Sequence, residues 1–241
     1  MKLGILLCDR VQSPLQAEFG DYPQMFASII QKARPEISIV PYYAVDGQLP
    51  AELDECDVYL CSGSKWGVND SAPWIRQLED FVRALYQAQK GFVGICFGHQ
   101  MIARALGGEV QKADQGWGVG VAQSHVISAK PWMDPSPCAL RLIVSHQDQI
   151  SRLPPASEVL MQSEFCPYSM IQVSGHFLGV QGHPEFSPAY SAALMEVRRD
   201  RIPAARISAG LDSLLQPVDD VRAMQWILNF LSLSHSNSGK E

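Results

Sequence analysis

The sequence predicts an α/β fold in three layers: an open, mostly parallel sheet with helices on both faces, and extra helices at the C-terminal end. Two observations carry this prediction. Strand-type and helix-type segments alternate along the first half of the chain. The strand-type segments are short, continuous apolar runs, which are typical of strands buried on both faces of a parallel sheet.

The alternation can be followed element by element through the first half. Continuous apolar runs predict strands at 3–7, 37–45, 58–61 and 92–95. Between them, apolar side chains at helical spacing predict helices at 22–33 and 73–89. A third helix is expected directly after the strand that ends near Ile95, because Met101, Ile102 and Leu106 have the spacing of one helix face.

The second half changes character twice. Residues 109–181 are rich in strand-type segments, and three helices are then predicted at 188–198, 203–215 and 218–231. No internal repeat or linker interrupts the chain. We therefore expect one α/β domain over 1–190, with the helical extension 191–241 packed on it.

Composition excludes several classes of protein. The 241 residues carry a formal charge of −6 with a pI near 5.5, so binding to nucleic acid has no electrostatic support. The densest basic run, RRDR at 198–201, is predicted to be a solvated helix end. No segment predicts a signal peptide or a membrane span, and the six cysteines have no paired spacing. A cytoplasmic location is expected.

Cys96 lies where a predicted strand meets a predicted helix, in the sequence GICFG. This has the G-x-nucleophile-x-G form of a nucleophile elbow, a sharp turn that presents a reactive side chain above the sheet edge. The glycines are needed because side chains there would collide with the turn, and the helix N-terminus favours a thiolate. The alternative is that Cys96 is a buried packing residue.

A base and its orienting carboxylate follow in the segment VQGHPEF. His183 and Glu185 lie two residues apart after the apolar run FLGVQ, so the imidazole can lean over a neighbouring strand end while the carboxylate reaches its second nitrogen. One alternative is that His183 and Glu185 lie in a surface turn without a catalytic role. A second alternative is the H-x-E motif of zinc deaminases, but that motif requires a downstream P-C-x-x-C, and no cysteine follows Cys166.

Four motifs together resemble the class I glutamine amidotransferases, a family of triad-type cysteine glutaminase domains with a flavodoxin-like fold. They are GICFGHQ at 94–100, GHPE at 182–185, CSGSKWGVND at 61–70 and VSHQDQI at 144–150. The resemblance covers roughly residues 1–190. The chain is similar to GMP-synthase-like amidotransferases and to γ-glutamyl peptidases. Stand-alone relatives with this nucleophile motif and a G-W segment include such peptidases.

The resemblance implies a role for each motif residue. The nucleophile, base and orienting carboxylate would be Cys96, His183 and Glu185. The oxyanion would be bound by backbone amides of Phe97 and of Gly63 or Ser64, where Ser64 replaces a glycine that is usual in the family. The substrate would be held by Gln100, Ser145, His146 and Asp148. No metal or organic cofactor is required, and Trp117 fits either a pocket wall or the core.

Three functions are compatible with these residues. The first is hydrolysis of a γ-glutamyl amide through a cysteine thioester, by a stand-alone amidotransferase-like protein that releases ammonia from glutamine. The second is a γ-glutamyl peptidase, and the third is a non-catalytic binding or regulatory protein. The expected partners are a small γ-glutamyl substrate and, for the first function, a separate synthetase. No nucleic acid or membrane partner is expected, and the oligomeric state is left open.

Overall fold

The computed structural model describes residues 1–135 and 138–238. It contains a nine-stranded mixed sheet and a separate two-stranded sheet. The strands are β1 (Lys2–Leu6), β2 (Ser38–Tyr42), β3 (Val58–Cys61), β4 (Phe92–Ile95), β5 (Glu109–Lys112), β6 (Gly118–Val126), β7 (Ala139–His146), β8 (Asp148–Arg152), β9 (Ser157–Gln162), β10 (Met170–Val173) and β11 (Phe177–Val180). The helices are α1 (Ser13–Phe19), α2 (Tyr22–Ala33), α3 (Pro73–Gln87), α4 (Phe97–Ala105), α5 (Pro188–Val197), α6 (Ala204–Ser213) and α7 (Asp220–Ser238).

The large sheet is parallel in the half that carries the sequence motifs. Strands β2, β1, β3, β4 and β11 lie side by side in that order and are parallel, and β10, β9, β6 and β7 continue the sheet as antiparallel neighbours. Strands β5 and β8 form the small antiparallel sheet. The predicted α/β class, with its parallel sheet covered by helices, is confirmed.

The register of the parallel strands brings three chain segments to one point. Val180 of β11 is paired with Ile95 of β4, and Cys61 of β3 is paired with Gly94 of β4. The three strands therefore end at nearly the same level. The residues that follow them must meet above the same sheet edge, because parallel strands point their carboxyl ends the same way.

Two apolar cores cover the two faces of the sheet. On one face, Leu3 and Ile5 of β1 pack with apolar side chains of α2 and α7. On the other face, Leu6 packs with α3 and α4. Because side chains alternate between the two faces along a strand, strands buried on both faces, such as β3 and β4, are continuous apolar runs.

The C-terminal helices pack closely on the body of the fold. Helix α6 crosses β6 where two glycines meet, since a Cβ placed on Gly120 would lie 2.6 Å from the carbonyl oxygen of Gly210. Helix α7 contacts α2. The division of the chain at residue 190 stays a prediction.

Helix α7 continues past the predicted end at residue 231. Hydroxyl groups of Ser232, Ser234 and Ser236 donate to the carbonyl oxygens four residues earlier, at 3.0 Å or less. These bonds satisfy the serine hydroxyls within the helix. The sequence did not predict this extension, because polar residues predominate after Leu231. Of the helices in the described ranges, none is both long enough and apolar enough to cross a bilayer.

Candidate active site

Cys96 occupies a strained turn between β4 and α4. Its backbone has φ 51° and ψ −97°, outside the regions that side-chain-bearing residues normally adopt, and its N–H donates to the carbonyl of Val180 at 2.8 Å. A Cβ on Gly94 would overlap the backbone of Gly98, and a Cβ on Gly98 would lie 2.6 Å from the carbonyl oxygen of Cys61. Both glycines of the elbow are therefore required by close packing.

His183 lies beside Cys96 because it follows β11, the neighbour of β4. Its N–H donates to the carbonyl of Ile143 at 2.8 Å, which anchors the backbone. Its Nδ1 is 2.7 Å from Oε1 of Glu185, and its ring stacks on Phe186 with the ring centres 4.0 Å apart. The ring is thus fixed from two directions, and Nε2 is left to face the thiol.

The electrostatic surroundings favour a charged imidazole. Burial lowers the pKa of His183, but the carboxylate of Glu185 and the charge and hydrogen bonding of Cys96 outweigh burial and raise that pKa to about 10. Glu185 has a fully buried side chain. At neutral pH the arrangement therefore holds a proton on His183 next to the sulfur.

Gly63 completes the third side of the site. A Cβ on Gly63 would lie 2.7 Å from Cε1 of His183 and 3.6 Å from Cβ of Cys96, so no side chain fits there. The backbone after β3 therefore runs against the reacting groups. Phe97 is the first residue of α4, and the first amides of a helix have no partner within the helix. The assignment of the Phe97 amide and of the Gly63 or Ser64 amide as oxyanion donors stays a prediction.

The loop after Gly63 is held by a residue that the sequence analysis did not single out. The buried carboxylate of Asp9 accepts hydrogen bonds from the Lys65 amide (2.8 Å) and from Lys65 Nζ (3.0 Å). Ser64 donates its hydroxyl to the carbonyl of Cys8 at 2.8 Å. Asp9 follows β1 without any motif around it, so only the pairing of β1 with β3 reveals this role.

A polar cavity of about 210 Å³ opens in front of Cys96. All four predicted substrate-binding residues, Gln100, Ser145, His146 and Asp148, line it. So do Ser64 and Phe97. Three of the four motifs therefore line one cavity, and the fourth, GHPE, lies behind Cys96 through His183. The roles of the individual residues stay predictions.

Several of these residues also bind one another. Gln100 donates its amide to the carbonyl of Asp148 (2.7 Å) and to Oε1 of Gln181 (3.2 Å). Nδ1 of His146 lies 3.1 Å from the same Asp148 carbonyl. Burial lowers the pKa of His146 to about 4, so this second imidazole is neutral at pH 7. Gln100 and His146 thus fix the loop that forms one wall.

The expectation that RRDR at 198–201 is a solvated helix end is confirmed for the exposed Arg199 and Arg201 and wrong for Arg198, which is partly buried. Arg199 is exposed and pairs with Glu196 at 2.6 Å. Arg198 and the exposed Arg201 both line the cavity, as does the partly buried Trp117, which is a wall residue. The chain turns after α5, with the Arg201 amide bonded to the carbonyl of Arg198, and both guanidinium groups lie within 6.0 Å of the Trp117 ring centre. This contact joins distant segments, so the sequence carried no local signal for it.

The fold is that of the glutamine amidotransferases. A glutamine amidotransferase from Thermotoga maritima superimposes with a TM-score of 0.74 and 19% identity, over 97% of both chains. A glutamine amidotransferase from Methylobacillus flagellatus gives the same TM-score at 18% identity, over 99% of this chain and 94% of that one.

Comparison of the sequence, and not only of the fold, identifies the family. The model of the class-I glutamine amidotransferase family matches residues 19–196, and the chain belongs to this family. It is 31% identical to γ-glutamyl peptidase 4 of Arabidopsis thaliana, over 70% of this chain and 69% of that protein. It is 28% identical to the glutamine-hydrolysing GMP synthase of Aeropyrum pernix, over 69% of this chain but only 31% of that protein. Family and relatives support a hydrolase or amidotransferase activity.

Proposed function

We propose that the protein hydrolyses the amide bond of a γ-glutamyl peptide through a thioester on Cys96. The observation that carries this proposal is the convergence of Cys96, His183 and Glu185 above adjacent ends of β4 and β11. A thiol, an imidazole and an orienting carboxylate in this order are the components of nucleophilic acyl transfer.

The reaction follows from the positions of the groups. With the thiol proton on His183, the sulfur of Cys96 attacks the γ-carbonyl carbon, and the developing oxyanion is bound by the amides of Phe97 and of Gly63 or Ser64. His183 then gives its proton to the leaving amine as the C–N bond breaks. Water, deprotonated by the same imidazole, attacks the thioester and releases glutamate and the free thiol.

Two facts favour a peptide over free glutamine as the substrate. The γ-glutamyl peptidase relative matches this chain over similar shares of both lengths, whereas the GMP synthase relative is matched over less than a third of its length. The cavity is also lined by two arginines, Arg198 and Arg201, that form no ion pair among the described residues, whereas a glutamine molecule has a single carboxylate.

The test compares purified wild-type protein with Cys96→Ser on γ-glutamyl dipeptides, with release of glutamate as the readout. We expect the variant to lose at least about 10³-fold in kcat/KM, as when a triad nucleophile is removed. Cys138→Ser is the matched control because Cys138 is an exposed free thiol. Substantial turnover by Cys96→Ser would overturn the proposal, and binding without turnover by the wild type would favour a binding protein.

Hydrolysis of glutamine is the second candidate, and the glutamine-hydrolysing relative favours it. In that case ammonia would pass to a separate synthetase. Ammonia release from glutamine at a higher kcat/KM than glutamate release from any γ-glutamyl dipeptide would support this candidate over the first. A pull-down for a synthetase would then identify the acceptor.

A further inference from the structure

Two arginines and a tryptophan form a positively charged wall in the cavity of Cys96. The guanidinium carbon of Arg198 lies 6.0 Å from the centre of the Trp117 ring, and that of Arg201 lies 5.7 Å from it. Contact with an aromatic ring holds a guanidinium group in place without neutralising its charge. The wall therefore presents two positive charges to the cavity.

Neither of these charges has a counter-ion within the described ranges. Ion pairs join Arg199 to Glu196 and Arg222 to Asp219, but none involves Arg198 or Arg201. Arg198 donates Nη1 to the hydroxyl of Ser145 at 2.9 Å, and its Nε is buried without a hydrogen-bond partner. A buried donor without an acceptor costs free energy, and an anion would remove that cost.

Another part of the cavity already suits the amino-acid end of a glutamyl group. Asp70 and Asp148 both lie beside Gly67, where a Cβ would be 3.5 Å and 3.2 Å from their respective carboxylate oxygens. Burial raises the pKa of Asp148, and the nearby charge of Lys112 opposes that rise. Carboxylates beside an ammonium group can pair with both charges of a zwitterion. The arginine wall is not needed for that end.

We propose that Arg198 and Arg201 bind a carboxylate on the leaving half of the substrate. The inference rests on the proposed hydrolysis of γ-glutamyl amides and narrows the substrate class to amides of amino acids or peptides with a free carboxylate. Free glutamine releases ammonia, so its leaving group carries no carboxylate that these arginines could bind.

The test uses two compounds that differ only in this charge, γ-glutamylglycine and γ-glutamylglycinamide. We expect wild-type protein to have the higher kcat/KM for γ-glutamylglycine. Arg201→Gln should lower the ratio of the two kcat/KM values by about 10-fold to 100-fold, the effect of losing one charge-assisted hydrogen bond. Arg201→Lys should keep part of the preference, because lysine retains the charge but loses the planar fork.

Arg199→Gln is the matched control, since Arg199 lies two residues away, is paired with Glu196 and does not line the cavity; it should leave the ratio unchanged. The inference fails if the wild type hydrolyses both compounds and Arg201→Gln leaves their ratio unaltered. It also fails if KM rises equally for both, because the arginine would then hold the shared glutamyl half.

A wild-type protein that hydrolyses neither compound would contradict the proposed function instead. Calorimetric binding of the two compounds to Cys96→Ser then decides the inference without turnover. Tighter binding of γ-glutamylglycine that is lost in the double variant with Arg201→Gln supports it, and equal binding of both compounds overturns it.

Discussion

At the scale of single residues, His183 is restrained from three sides. Glu185 binds one ring nitrogen, Phe186 stacks on one face, and Gly63 leaves no space at Cε1. The imidazole therefore has one nitrogen directed at Cys96 and little freedom to turn away. The charge on this ring depends mainly on Glu185. Burial alone lowers the pKa of His183, and the carboxylate of Glu185 is the largest influence that raises it.

Replacing Glu185 with Gln tests this dependence. The change keeps the shape of the side chain but removes its charge, so burial should then lower the pKa of His183. We expect kcat to fall by about 10²-fold to 10⁴-fold, as in other triads whose orienting carboxylate is neutralised. A pH–rate profile and kcat for a γ-glutamyl dipeptide measure the effect. Glu196→Gln, at an exposed glutamate, is the control.

The same variant changes the pH dependence of stability. A folded-state pKa of about 10, raised above the unfolded value near 6.5, gives stabilisation that is complete below about pH 6.5 and is lost as pH rises towards 10. The difference in unfolding free energy between wild type and Glu185→Gln should therefore be larger at pH 6 than at pH 10. A difference that grows with pH would contradict a charged His183.

At the scale of secondary-structure elements, the elbow between β4 and α4 depends on the way α4 begins. The helix starts directly at the residue after Cys96, and its second residue, Gly98, lies against the end of β3. The nucleophile turn and the loop that carries the expected oxyanion donors are therefore in direct contact. A shift in either displaces the other.

Gly98→Ala should disturb both parts at once. The added methyl group would lie 2.6 Å from the carbonyl oxygen of Cys61, so β3 and α4 must move apart. We expect activity to fall by about 10²-fold, the usual effect of an ångström-scale misplacement, and stability to fall by about 1–3 kcal/mol. Gly175→Ala is the control, because a methyl group there meets no atom within 4 Å. Equal activity of both variants would contradict the tight elbow.

The elements that were predicted correctly carry local signals. The strand, cysteine and helix around Cys96 follow from apolar spacing and two glycines within a few residues. Helix α1 was not predicted, because its seven residues contain a single buried side chain, Leu15. Strand β8 was not predicted, because its polar residues resemble a loop and only its pairing with β5 makes it a strand.

The residues of the candidate site also fall into two groups, those with a local sequence signal and those without one. The sequence supports Cys96, His183 and Glu185 because each lies in a short motif with a chemical reason for its residue types. Three features depend on packing between distant segments: the contact between β4 and β11, the support of the loop by Asp9, and the contact of Arg201 with Trp117. No local pattern in the sequence contains that information.

At the scale of the whole molecule, α7 is part of the main core. Trp226 and Leu231 are fully buried, and Trp226 donates its indole N–H to the carbonyl of Pro135 at 3.1 Å. Leu231 also approaches the position of Gly91, which precedes β4. The last helix therefore stabilises the strand that leads to Cys96.

Leu231→Ala should lower the unfolding free energy by about 2–5 kcal/mol, because it removes buried methyl groups and leaves a cavity. Leu233→Ala, two residues further along the same helix, should change it by less than about 0.5 kcal/mol, since Leu233 is 49% exposed. Urea denaturation of both variants measures the difference. Similar values for the two would mean that α7 is not integral to the core.

The turn between α5 and α6 has a consequence for how such proteins diverge. The groups proposed to break the amide bond come from three strand ends, and the two arginines of the cavity come from a short connection that contains none of them. On the proposed roles, we expect changes in that connection to alter which amides are accepted and to leave the reaction itself unchanged. Proteins with identical catalytic motifs can then differ in substrate, and we expect the sequence of the connecting turn to account for that difference.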